Sequence, residues 1–127
     1  MWDGFDKRKF PRMNLHCEIE IRSAEEKSEP ITTVTENVGA GGVAVFVNKA
    51  LDRFSSCNIR LDFDKQKKDG VQCSGKIVWI VPTRDSQNKK TRYDVGIEFV
   101  GMKPEDLERL RQHVEEFARN FPEERTR

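Results

Sequence analysis

Cysteine is scarce in this chain: three residues, Cys17, Cys57 and Cys73, among 127, with no C-x-x-C pair. An odd, widely spaced set argues against a disulfide framework, which is denser. It also argues against a structural zinc site, which needs closely spaced ligand pairs. Histidine is scarcer still, at positions 16 and 113. His16 and Cys17 are adjacent and on a strand would face opposite sides. The expectation is free thiols packed in a reducing compartment, with no metal and no other cofactor. Long apolar runs are also missing. The longest, such as Val43–Val47 and Ile77–Val81, have five residues, whereas a membrane span takes about 20, so no membrane insertion is expected. The opening MWDGFDKRKFPRM lacks the apolar centre of a signal peptide, which points to a cytoplasmic protein. Nor does one sign of charge dominate: 35% of residues are charged, yet the net charge is +1. That balance speaks against a coat for a nucleic-acid polymer and against a polybasic anchor. No Ser-His-Asp set is visible by spacing. Glu25-Glu26 and Glu115-Glu116 read as solvated surface, so no enzyme is expected.

What is present reads as one domain, since a chain of this length can bury a single core. Leu15, Cys17, Ile19 and Ile21 alternate with His16, Glu18, Glu20 and Arg22, the pattern of a half-buried strand. Further strands are expected over 31–36, 43–47, 58–63, 71–81 and 93–99, with Gly75 marking a bulge or bend in the long fifth one. In the last strand Tyr93, Val95, Ile97 and Phe99 share a face. The period then changes: Leu107, Leu110, Val114, Phe117, Ala118 and Phe121 fall on one helical face, with Pro104, Glu105 and Asp106 suited to its first turn. Short strands with frequent turn signals followed by a helix predict an all-β fold with a C-terminal helix, a small six-stranded antiparallel barrel flanked by one amphipathic helix. The expected divisions are an N-terminal arm over 1–12, the barrel and helix over 13–120 with the helix at 103–120, and a tail over 121–127. The barrel-plus-helix plan reads as complete.

Two stretches ask for more than a fold. The first is TENVGAGGVAVF, residues 35–46. It matches G-x-G-x-x-A from Gly39 to Ala44, but a dinucleotide fingerprint must open a helix, and Gly42 leads into strand. No Lys-Ser or Lys-Thr follows, which excludes a Walker A loop. A plain hairpin turn, with glycine supplying positive φ, remains a sufficient account of this stretch alone. The second is Lys7-Arg8-Lys9-Phe10-Pro11-Arg12, four basic residues without an acid. Pro11 keeps Phe10 extended. Arg8 and Arg12 then lie on one side of the chain, about 13 Å apart, as a clamp for phosphates or purine edges. On its own such a run is more often a solvated arm.

Taken together and in this order, KRKFPRMNL and NVGAGG resemble the two motifs of the PilZ domain family, bacterial domains that bind the second messenger cyclic di-GMP. GKIVWI, RYDVGIEFVGM and KPEDLERLRQHVEEF resemble its late strands and closing helix. The resemblance covers residues 7–118. It implies that Arg8 and Arg12 grip phosphates and guanine edges, that Asn37 accepts from a guanine ring N–H, and that Gly42 permits close approach. Lys7 and Lys9 would help electrostatically. Gly39 stands where the family usually has serine and would offer only backbone. Trp79, in Ile-Val-Trp-Ile-Val, could be a stacking platform but is better explained as core.

The function so implied is a cyclic di-GMP receptor without chemistry of its own, regulating motility or biofilm formation. Its arm would order on the ligand and signal to an effector protein, the chain itself being a monomer or weak dimer. The alternative, motivated by Gly39, is a PilZ-fold adaptor that does not bind the messenger and works by protein contacts only. A barrel binding single-stranded nucleic acid would need a basic groove interleaved with exposed aromatics, which the charge balance disfavours.

Overall fold

The structure is a computed structural model and describes residues 12–23, 29–64, 70–84, 87 and 90–125. Six strands, β1 (Glu18–Ser23), β2 (Ile31–Val38), β3 (Gly42–Val47), β4 (Ser56–Asp62), β5 (Gly70–Arg84) and β6 (Thr91–Val100), are followed by α1 (Pro104–Asn120) and a short 3-10 turn (Pro122–Glu124). The strands close into an antiparallel barrel in the order β1-β2-β3-β6-β5-β4, as the alternating pattern predicted. Closure leaves no unpaired edge.

Inward positions of every strand meet in one core, including Ile19, Ile21, Val43, Val45, Ile59, Leu61, Val71, Ile77, Val95 and Ile97. Tyr93 and Phe99 pack at its margin, so the four residues predicted to share a face of β6 do so. Helix α1 starts without a side-chain cap at Lys103, but has Pro104 in its first turn and Glu105 and Asp106 at its positive end. It buries Leu110 and Val114, and the His113 ring stacks on Phe63 with centroids 4.3 Å apart. Among the described residues no helix is long and apolar enough to cross a membrane.

The regular part of β1 begins at Glu18 rather than at Leu15. Residues 15–17 are instead tied to Thr35. The Thr35 Oγ1 donates to the Leu15 carbonyl (2.7 Å) and accepts from the Cys17 N–H (2.9 Å), and the Thr35 N–H donates to the Cys17 carbonyl. Cys17 is buried and His16 faces out. The expectation of a bulge at Gly75 is corrected: Gly75 pairs regularly with Cys57 and Phe99, and the break in β5 falls between Ile77 and Trp79. Gly75 is small for another reason. A β-carbon there would stand 2.7 Å from the Ile97 side chain and 3.2 Å from the Cys57 sulfur.

Burial is the main cause that pushes the thiols up, Cys17 and Cys57 to about 11 and Cys73 to about 12. They stay protonated and unreactive near neutral pH.

Candidate functional site

Two β-bulges make the site. In β2, Thr35 pairs with Val45 and Asn37 with Ala44, so Glu36 is an extra residue. Strand side chains alternate, and without the bulge Asn37 would share the inward side of Thr35. With it, Val38 turns inward and is fully buried, while Asn37 turns outward. In β5 the same thing happens at Val78, which lies between Ile77 (paired with Ile97) and Trp79 (paired with Gly96). Ile77 stays in the core and Trp79 leaves it, 39% exposed. The expectation that Trp79 packs in the core is thereby corrected; period-2 counting from Ile77 fails at the bulge.

The two re-aimed side chains stand in one row across four strands: Asn37 beside Ala44, Ala44 beside Gly96, Gly96 beside Trp79. In the closed six-stranded barrel these three steps lead halfway round the wall, so the row wraps from Asn37 on β2 to Trp79 on β5. The floor between them is made of the two smallest residues. A β-carbon on Gly96 would lie 2.3 Å from two carbons of the Trp79 ring, so the indole lies against the Gly96 backbone.

Arg12 closes the row on the β2 side. Met13 exchanges both backbone hydrogen bonds with Val38 (3.0 and 2.9 Å), and Asn14 N–H donates to the Glu124 carbonyl (2.7 Å). The fully buried Met13 is therefore held between β2 and the C-terminal residues. Arg12, one residue before this anchor, donates from Nε to Asn37 Oδ1 at 2.5 Å. Partial burial lowers its pKa from the ordinary value, but a guanidinium remains charged. An amide oxygen accepts two hydrogen bonds, so Asn37 keeps one acceptor position beyond the Arg12 contact.

Arg12, residues 39–43, Val78, Trp79, Ile97 and Glu98 line a shallow cleft of about 350 Å³. The glycine stretch is the β2–β3 turn that forms its wall, closed by the Gly39 N–H on the Gly42 carbonyl (2.9 Å). Among the described residues positive φ occurs at Phe54 and Gly101 only. The glycines of this turn are thus not needed for positive φ, contrary to the plain hairpin account. Room is what Gly42 is needed for. A β-carbon on Gly42 would meet the Ile97 carbonyl oxygen at 2.2 Å, and one on Gly39 would meet Arg12 Nη1 at 3.3 Å. Gly42 lets β3 approach β6; Gly39 lets the Arg12 side chain lie over the turn.

Arg8, Lys7 and Lys9 lie outside the described residues. Of the residues singled out in the sequence, the structure brings Arg12, Asn37, Gly39 and Gly42 together. Ala44, Gly96 and Glu98 were missed. Their only signal is the register that places Ala44 and Gly96 beside the two bulges and Glu98 beside Gly42, and that register needs the pairing of distant strands. Beneath Asn37, Glu36 is pushed up to about 7, first by burial and then by the neighbouring Asp94, with Arg92 and His16 opposing. Among the described residues no group of three His, Cys, Asp or Glu side chains could hold a metal ion.

A family model described as the PilZ domain matches residues 6–116. Among solved structures, the PilZ domain of YcgR from Escherichia coli with c-di-GMP matches at 14% identity and TM-score 0.66, over 93% of this chain and 98% of that one. The inhibitor of motility MotI/DgrA of Bacillus subtilis matches at 18% identity and TM-score 0.69, over 91% of this chain and 53% of that one. The MrkH–c-di-GMP complex of K. pneumonia matches at 13% identity and TM-score 0.71, over 94% and 56%. This chain thus spans about half the length of the MotI and MrkH chains. A search of curated proteins finds no match.

Proposed function

The chain belongs to the PilZ domain family, a family of cyclic di-GMP receptors, and from that premise we propose that its cleft binds cyclic di-GMP. The observation that carries the proposal is the cleft that brings Arg12, hydrogen-bonded to Asn37, together with Trp79 and Glu98 at the Gly39–Gly42 turn, so that a cation, an amide and an aromatic face adjoin one opening. Arg12 supplies charge-assisted bonds to phosphate. Asn37 offers its remaining acceptor position to a guanine ring N–H. Trp79 offers a stacking surface, and Glu98 a carboxylate that can accept from guanine N–H groups. The cleft is near the small end of the about 300–1,000 Å³ of ligand pockets. In this reading the arm completes it, with Arg8 gripping the second phosphate, assisted by Lys7 and Lys9. Ordering the arm changes the surface shown to an effector protein, a disorder-to-order switch without chemistry.

The Arg12–Asn37 bond also gives the adaptor reading its footing, since Gly39 brings no hydroxyl to compete for either group. Calorimetric titration with cyclic di-GMP separates the two, and limited proteolysis tests the arm switch. A receptor becomes protected over residues 5–13 at saturating cyclic di-GMP; unchanged cleavage there at a ligand concentration that binds rules out the arm switch.

A further inference from the structure

Phe54 is the one non-glycine residue at positive φ (67°) among those described. A bulky side chain is strained there. The position is nevertheless rigidly built. Phe54 N–H donates to the Ile77 carbonyl (2.6 Å), and the Ile77 N–H donates to the Ser55 carbonyl (3.0 Å), which rivets the turn to β5. Ser55 also donates to the Asp52 carbonyl from its N–H (3.1 Å) and its Oγ (2.5 Å). The strain does not place the ring in the core: Phe54 is 58% exposed. Two cations flank it, the Arg53 guanidinium carbon at 4.6 Å and Lys76 Nζ at 5.6 Å from the ring centroid. Beside the turn is a depression of about 190 Å³ where Ile21, Leu51 and Ile77 are joined by Lys49, Glu29 and Asp52.

Neither core packing nor backbone preference explains a strained aromatic held out in water between cations. We infer that the 52–56 turn is a docking knob for an acidic segment of a partner protein. An apolar anchor residue of that segment lies against Phe54 and the adjoining depression, and its carboxylates meet Arg53 and Lys76. Charge complementarity at the ring, where Arg53 and Lys76 stand, selects this occupant, while Glu29 and Asp52 at the depression require the anchor residue seated there to be uncharged. A nucleic acid would need a row of stacking rings in a basic groove, and here there is one ring in a chain of net charge +1. Anchoring to an anionic membrane would need a cluster of about four to eight basic residues. The knob borders the cleft, because Lys76 pairs with Glu98 across β5 and β6, and Glu98 lines the cleft. The inference does not depend on what the cleft binds.

The test uses the full isotope-labelled chain without nucleotide and a short synthetic peptide of Asp and Glu around one central leucine. Saturable amide shifts are expected over residues 49–57 and 74–77. Phe54→Gly should weaken peptide binding at least about tenfold, as should Lys76→Glu. Phe54→Gly should also raise the melting temperature by roughly 2–4 °C, because it relieves the strain. The inference is overturned by absence of saturable shifts up to about 1 mM peptide, or by Phe54→Gly binding the peptide as the wild type does. It is equally overturned by a lower melting temperature in Phe54→Gly, or by the same amides responding to oligo-dT or anionic vesicles but not to the peptide.

Discussion

Glu36 is the extra residue of the β2 bulge, and the position that aims Asn37 outward also crowds two carboxyl groups. Among the described residues, Glu36 Oε2, Asp94 Oδ1 and Arg92 Nε are buried atoms without a hydrogen-bond partner. The Glu36 carboxyl is raised from near 4.5 to about 7 by burial and by Asp94, so the native state holds its proton more tightly than the unfolded chain does. That stabilisation is complete below the unfolded value and is lost as pH rises through about 7. The thermal midpoint should therefore fall between about pH 5 and pH 8 more steeply in the wild type than in Glu36→Gln, which carries a neutral group at every pH. Melting curves across that window check it; equal slopes would show that Glu36 is not the group responsible. At Gly39 the missing side chain matters in two ways. It withholds a hydroxyl, and it lets Arg12 settle on Asn37. A serine there adds a hydrogen-bonding group and presses on Arg12 Nη1, and both effects favour a ligand. Gly39→Ser should tighten cyclic di-GMP binding by about two- to fifteen-fold, the worth of one hydrogen bond.

The strands owe their places to alternation, and most were legible in the sequence because each half-buried strand repeats with period 2. What alternation cannot show is a bulge, because the extra residue inverts the faces of all that follow. Asn37 was assigned from its place in a motif, not from its direction. Trp79 was assigned to the core from its place in the apolar run Ile77–Val81, and the bulge at Val78 turns it out of the core. The pairing that sets Ala44 and Gly96 between Asn37 and Trp79 comes from strands far apart in the chain, which no local pattern contains. Glycine roles were hard to read for a similar reason: Gly42 answers to the Ile97 carbonyl and Gly96 to the Trp79 ring. Gly96→Ala should therefore displace the indole while leaving the barrel closed. In a Trp2→Phe background the Trp79 emission should shift to the red, and cyclic di-GMP affinity should fall by roughly 5- to 150-fold, the worth of one stacked base. Unchanged emission would contradict the contact. An altered emission with unchanged affinity would remove Trp79 from the binding surface.

At the scale of the molecule, both ends of the described chain meet at Met13, next to the cleft residue Arg12. Met13 bridges to Val38 and to Arg125, so the arm that carries Arg12 is anchored to β2 and to the residues that follow α1. The barrel supplies a rigid row, and Arg12 is the charged group delivered to its end. In the proposed reading the cleft is a cyclic di-GMP site whose affinity depends on Arg12. The most direct measurement is calorimetric titration of the full chain with cyclic di-GMP, beside Arg12→Ala and Gly39→Ser. The account predicts saturable binding by the wild type, loss of binding in Arg12→Ala and tighter binding in Gly39→Ser. Heats that stay at dilution level for the wild type up to about 1 mM ligand, or binding that survives Arg12→Ala unchanged, would contradict it.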